Sequence, residues 1–399
     1  MSSPFRDERD AALERAARLE RENAQLRERL DEARRPRGPR SKRAWVLVTC
    51  AVVLAILGVA AQTLRPKIEA ALEARRLARA HEVVRMDWTD ESSGTQHTLR
   101  AAWSGLRGAY AVGDRGTILF RDTTGAWSRQ PSGTTENLRA VDGGSTRDVV
   151  GAFATFAVGD HGVILRYDAE TRAWVPEASG TTETLRAVTL IHWTAFVAGD
   201  HGTLLRRDVG GWTRITTHTT EGLRALYSPD DWGAQGHTLY AVGTHGTILY
   251  LDNLFSGIVS AQRSGTDVDL AAIGGYDDTI VAGGAAGTLL VGSRDPSVPW
   301  TTVDLATTED IVAVGVARET FERCTDRAEC RFLIWTPTVV AASRGGEIAA
   351  LDPHRGWILH SAQGLPVLAM TALYRIDDPK DELLLLGEDG KIRRGTPAP

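Results

Sequence analysis

From Trp88 onward, short runs of β-branched and apolar residues alternate with clusters of Gly, Asp, Ser and Thr. Runs this short, bounded by turn-favouring residues, read as strands joined by tight connections. One phrase recurs through the region: AVGDRGTIL from Ala111, AVGDHGVIL from Ala157, VAGDHGTLL from Val197 and AVGTHGTIL from Ala241. Looser copies are AGGAAGTLL from Ala282, AASRGGEIA from Ala341 and LLGEDGKIR from Leu385. The first glycine of each, or its replacement, falls at Gly113, Gly159, Gly199, Gly243, Gly284, Ser343 and Gly387, at spacings of 46, 40, 44, 41, 59 and 44 residues. A period of roughly 40–50 residues built from short strands is the pattern of a β-propeller. The expected fold is all-β, a seven-bladed β-propeller with four-stranded blades, the strands lettered a to d from the axis outward.

Within a unit, the G-D-H-G phrase fits a tight hairpin between strands b and c. Glycine permits positive φ there, and Asp or His tolerates the turn centre. Aromatic residues recur at strand d as Trp127, Trp174, Trp212, Trp300 and Trp357, with Phe255 a weaker stand-in. A ring at that place is expected to pack between neighbouring blades, where it buries a large area. The last copy ends at Gly395 with no tryptophan after it, whereas Trp88 stands before the first copy. The N-terminal strand is therefore expected to complete the seventh blade, and closure removes the sheet edges that an open array would expose.

The pattern upstream is different. Residues 1–33 carry Ala16, Asn23 and Leu30 at one heptad core position and Ala12, Leu19, Leu26 and Ala33 at the other. This predicts a coiled-coil helix capable of forming a homodimer through residues 5–33, a polar Asn fixing the register; a solvated single helix is the alternative. Residues 34–43 form a basic linker broken by Pro36 and Pro39. Residues 44–64 are 21 positions without a charge, which as helix would span about 30 Å, the thickness of a bilayer core. A buried soluble helix and a cleaved signal peptide are the alternatives, the latter set against the long charged segment in front. Residues 65–86 are helical in character and are expected to form a stalk, followed by the propeller over 87–396. Arg34, Arg35, Arg37, Arg40, Lys42 and Arg43 precede the apolar run, which predicts a single-pass inner-membrane protein, its N-terminus cytoplasmic and its propeller periplasmic or extracellular.

Composition narrows the function classes. The chain has 399 residues and a formal net charge of −5, which gives no support for nucleic-acid binding. Its 3 cysteines are too few for a disulfide scaffold. Cys324 and Cys330 share a charged loop, and an extracytoplasmic compartment would permit a bridge between them. His161, His201 and His245 recur beside Asp160 and Asp200, but one position in successive blades is too widely spread for one ion, so no metal site is expected. The SGTT turns at Ser132 and Ser179, and SGTD at Ser264, lack the Lys and following helix of a phosphate loop. No set of carboxylates stands out as catalytic, and no cofactor is expected.

The long unrepeated connections, residues 142–151, 228–236, 318–331 and 376–381, all join strands a and b. They would share one rim, opposite the b–c turns and the SGTT segments. Irregular loops on a rigid scaffold are where specificity tends to reside. Asp230, Asp231 and Trp232 in one loop, with Phe321 and Arg323 in another, are the candidate binding residues, since aromatic and Arg anchors are typical of interfaces.

At its glycine–turn–glycine hairpins and following tryptophan strands (GAWSRQ, RAWVPE, GGWTRI) the chain resembles the BNR-like propellers, especially the photosystem II stability/assembly-factor-like group. The likeness covers residues 88–395. It implies an extracytoplasmic binding or assembly scaffold. The charged N-terminal helix and apolar run depart from that group's usual pattern, so its photosynthetic role is not carried over. The expected function is a membrane-anchored scaffold that binds a protein or a cell-envelope component; the alternative is a glycan-acting hydrolase or lectin with its site in the channel.

Overall fold

In a computed structural model of the chain, the described residues are 18, 20–29 and 86–397, the last range without 106, 145–153, 192–193, 230–237, 255, 323–332, 353–355, 362–365 and 374–381. Residues 20–29 are helical and exposed, Leu26 among them. The expected span over 44–64 lies outside the described residues, as does the expected stalk except for Met86, which opens a strand. Among the described residues no helix is long and apolar enough to cross a membrane.

The rest is strand. Seven four-stranded antiparallel sheets follow one another along the chain. Blade 1 comprises Leu99–Gly105, Gly108–Gly113, Thr117–Arg121 and Trp127–Gln130. Blade 2 begins at Leu138–Gly143, blade 3 at Leu185–Ile191, blade 4 at Leu223–Tyr227, blade 5 at Leu270–Tyr276 and blade 6 at Ile311–Glu322. Blade 7 takes Ala369–Leu373, Glu382–Leu386 and Ile392–Pro397 from the C-terminal end and Met86–Glu91 as its outermost strand. The a strands touch their neighbours around the axis, and that of blade 1 meets that of blade 7. The ring is closed as the repeat count predicts.

Hydrophobic burial explains the runs. Each sheet faces a neighbour on both sides, so strand b is largely apolar: Leu239–Gly243 and Glu382–Leu386 are buried at every position, with Glu382 a charged exception that accepts from Arg394. The core consists of clusters between blades, such as Tyr110, Val112 and Ile118 of blade 1 against Leu138, Leu165 and Trp174 of blade 2. Trp127, Trp174, Trp212 and Trp300 pack there as expected, whereas Phe255 and the side chain of Trp357 lie outside the described residues. Trp174 meets Tyr110 edge-on at 5.5 Å, Trp212 meets Phe156 at 5.7 Å and Trp300 meets Tyr240 at 6.5 Å. Each indole N–H also donates backwards across the seam: Trp174 to Gln130 at 2.9 Å, Trp212 to Glu177 at 3.0 Å and Trp300 to Gln262 at 2.8 Å. Trp127 donates at 2.8 Å to Glu91, on the strand that closes the ring.

Two backbone features shape the rim. In blades 1 to 6 strand a opens with a register shift, between Leu99 and Ala101 in blade 1, so that the second residue is bulged out of the ladder. In blades 1, 2, 5 and 7 the b–c turn is a one-turn 3₁₀ segment whose middle residue is left-handed, with φ of 54° at His161 and 53° at Ala286. The fourth residue of the phrase, Gly116 in blade 1, is left-handed too, and a Cβ there would press on the carbonyl oxygen of Thr134 in the next d–a segment. This close approach, with Gly116 N–H donating to Glu136 O at 2.8 Å, accounts for a glycine where Asn would satisfy φ alone.

Candidate functional site

The b–c turns and d–a segments share the rim opposite the a–b loops, and they surround one mouth of the channel with charge. The bulged residue of strand a is Arg in blades 1 to 4: Arg100, Arg139, Arg186 and Arg224. A bulge re-aims its side chain. Here it brings the guanidinium to the first residue of the b–c turn in the same blade. Arg100 Nη2 donates to Asp114 at 3.0 Å, Arg139 Nη2 to Asp160 at 2.8 Å and Arg186 Nη2 to Asp200 at 2.7 Å, each pair bidentate through Nε. The Arg139 hydrogen bonds hold the Asp160 carboxyl below the usual range. Burial would raise that of Asp200, but Arg186 outweighs it and the net shift is downward.

Blade 4 breaks the series. Thr244 stands where blades 1 to 3 have Asp, and its hydroxyl is engaged with Glu221 at 2.6 Å. Among the described residues Arg224 keeps only Asp269, at 3.9 Å, and Asp269 already accepts from the His245 backbone N–H at 3.1 Å. Burial, and then the charge of neighbouring Arg186, lower the proton affinity of Arg224 despite Asp200 and Asp269. Blade 5 has lost both partners together, with Ala271 and Ala285 in their places. The mouth is therefore self-neutralised over blades 1 to 3 and carries an under-compensated cation at blade 4.

The histidines flank this arc, each against a glutamate. Nδ1 of His161, His201 and His245 lies 2.7 Å from Glu136, Glu183 and Glu221 respectively, one pair per blade. Hydrogen bonding and charge from that glutamate raise each imidazole's proton affinity. Among the described residues no group of three or more His, Cys, Asp or Glu side chains is placed to hold a metal ion. The SGTT hydroxyls are used locally: buried Ser132 donates to Thr134 O at 3.2 Å, and Thr134 Oγ1 accepts from Glu136 N–H at 3.1 Å.

Of the residues singled out on the a–b rim, Asp230, Asp231, Trp232 and Arg323 lie outside the described residues, as do Cys324 and Cys330. Phe321 is in strand a of blade 6, opposite Ile334. The arginine arc was the feature that sequence reading passed over. Its signal is a co-variation between blades: Arg two residues into strand a goes with Asp after the first glycine in blades 1 to 3, and Ala goes with Ala in blade 5.

No protein-family model matches the chain, and no curated protein is similar to it in sequence. Its fold is shared by solved propellers. A structure described as YCF48 bound to D1 peptide has a TM-score of 0.54 and 15% identity, covering 77% of this chain and 94% of that one. YCF48 from Cyanidioschyzon merolae has a TM-score of 0.56 and 16% identity, covering 78% and 99%. The RRP9 WD40 repeats have a TM-score of 0.56 and 10% identity, covering 77% and 97%. At such identities the likeness is one of fold. The resemblance to photosystem II assembly-factor propellers accordingly holds at the level of architecture: this chain is a seven-bladed propeller similar in fold to YCF48.

Proposed function

We propose that the chain is a membrane-anchored binding scaffold, held by residues 44–64 with its propeller outside the cytoplasm, and that the arginine-lined mouth takes a carboxylate-bearing segment of a partner protein. The observation that carries this reading is Arg224, a half-buried guanidinium without the in-blade carboxylate that Arg100, Arg139 and Arg186 possess. A partner carboxylate there would supply the missing charge-assisted, two-pronged hydrogen bond. That one YCF48 propeller is described with a bound D1 peptide supports a peptide ligand for this architecture. The charge asymmetry around residues 44–64 supports the orientation. Hydrolysis of a glycan is the weaker reading, because a general acid must hold a proton, whereas Asp160 and Asp200 are held ionised by their arginines.

The test is retention on immobilised peptide arrays that differ only in acidic or basic side chains. Acidic peptides should be retained by the wild-type chain. Retention should fall about tenfold with Arg224→Ala, and similarly with Thr244→Asp, which restores the in-blade partner; loss of a charged hydrogen bond is worth about 1.5–3 kcal/mol. Equal retention by all three proteins would overturn the reading.

A further inference from the structure

We infer that the rim opposite the arginine mouth, the one bearing the a–b and c–d connections, rests on the surface of a lipid bilayer through the tips of blades 3 to 5. The inference relies on the membrane-anchored reading of residues 44–64. Its first support is where the chain enters the ring. Met86 begins the outermost strand of blade 7 opposite Pro397, and Glu91 ends it opposite Ile392, next to the b–c turn Glu388–Gly390. Met86 therefore lies on the a–b rim, where the chain enters the ring.

The second support is independent of connectivity. Among the described propeller residues the exposed large hydrophobic side chains are Val209, Ile258, Tyr276 and Val298. Val209 sits between strands c and d of blade 3, Ile258 between c and d of blade 4, and Val298 between c and d of blade 5. Tyr276 ends strand a of blade 5, in its a–b hairpin. All four belong to the rim at which Met86 enters the ring, and none to the arginine rim. Apolar and aromatic tips on one rim suit the interfacial zone of a bilayer, where amphipathic rings settle.

Charge specifies the lipid. Asp277 and Asp278 adjoin Tyr276, and Asp295 lies three residues before Val298. These carboxylates disfavour an anionic surface, so the occupant is zwitterionic lipid. In blade 6 the a–b ribbon pairs on to Glu322 opposite Leu333, well past the length at which blade 5 turns. It leaves the same rim beside blade 5.

The experiment uses the full chain reconstituted into phosphatidylcholine vesicles that carry a nitroxide on a fraction of the headgroups. A fluorescent amino acid is introduced in place of Ile258 or Val298, and in separate proteins in place of Thr135 or Thr182, exposed positions on the arginine rim. Quenching at least threefold stronger at Ile258 and Val298, with no gain when anionic lipid is added, is the expected result. Equal or reversed quenching in a chain that resists alkaline carbonate extraction overturns the rim assignment and leaves the anchor standing. Release of the chain by carbonate overturns the anchor and this inference with it.

Discussion

At the scale of single residues, the b–c turns show how one position serves conformation and charge together. The left-handed backbone at His161, His201 and His245 costs an L-residue roughly 1–2 kcal/mol relative to its preferred regions. Each histidine then places Nδ1 against the glutamate of the segment before its blade, which offsets part of that cost. The pairing sets a pH dependence. A histidine whose folded proton affinity exceeds its unfolded one contributes stability that is complete below about pH 6.5 and is lost as pH rises through the folded value. For His201 the expected outcome is an imidazole titrating above the ordinary histidine range, and Glu183→Gln should return it to that range. Proton NMR titration of the ring resonances checks this. An ordinary value in the wild-type chain would show that the pair is not formed in solution.

At the scale of elements, the outer strands are tied by indole donors, and the tie at the seam joins the two ends of the propeller. Glu91 accepts from Nε and Nη2 of Arg121, at 2.9 and 2.7 Å, and from Trp127, and lies 3.1 Å from Arg394. Burial raises its pKa, but the hydrogen bonds from Arg121 and Trp127 and the charges of Arg121 and Arg394 outweigh it, so the net shift is downward. A carboxyl depressed on folding stabilises above its unfolded pKa, about 4.5, and loses that contribution as pH falls through the folded value. Glu91→Ala should therefore cost about 3 kcal/mol at pH 7, because it strands Arg121, only 9% exposed. Glu91→Gln should cost less and flatten the loss of stability in acid. Urea unfolding at pH 7 and pH 4 measures both, and a wild-type midpoint for Glu91→Ala would remove the clasp from the account. Much of this was legible in the sequence. The glycines, the turn between them and the strand-d tryptophans each answer to a local constraint that repeats with the blade. The acceptors were also within reach, since Trp88 and Glu91, Trp127 and Gln130, and Trp174 and Glu177 share one spacing. The arginine arc was harder to see. Its partners are 14 residues apart in blades 1 and 3 but 21 in blade 2, and only the bulge brings them together.

At the scale of the whole molecule, stability depends on a contact between the two ends of the propeller. The C-terminal half of blade 7 has no tryptophan in its last strand and has Gly395 opposite Trp88. The ring of Trp88 lies against that glycine, where a Cβ would collide with it, and joins the apolar cluster between blades 6 and 7. Without Met86–Glu91, blade 7 would expose the Ile392–Pro397 edge, lose this indole and leave Arg121 and Arg394 without Glu91. Each loss falls on the same seam, so they do not act as separate small defects. A chain beginning at Glu82 retains the strand and is expected to unfold at the same denaturant midpoint as the same propeller in the full chain. A chain beginning at Leu99 retains every repeat but not the closing strand. Its loss should be comparable with the whole stability of an ordinary domain, about 5–15 kcal/mol, so that it unfolds without a cooperative transition or self-associates through the exposed edge. Chemical denaturation with light scattering distinguishes the outcomes. If the two truncated chains unfold at one midpoint with neither aggregating, the ring does not depend on the first strand, and its stability resides in the repeats alone.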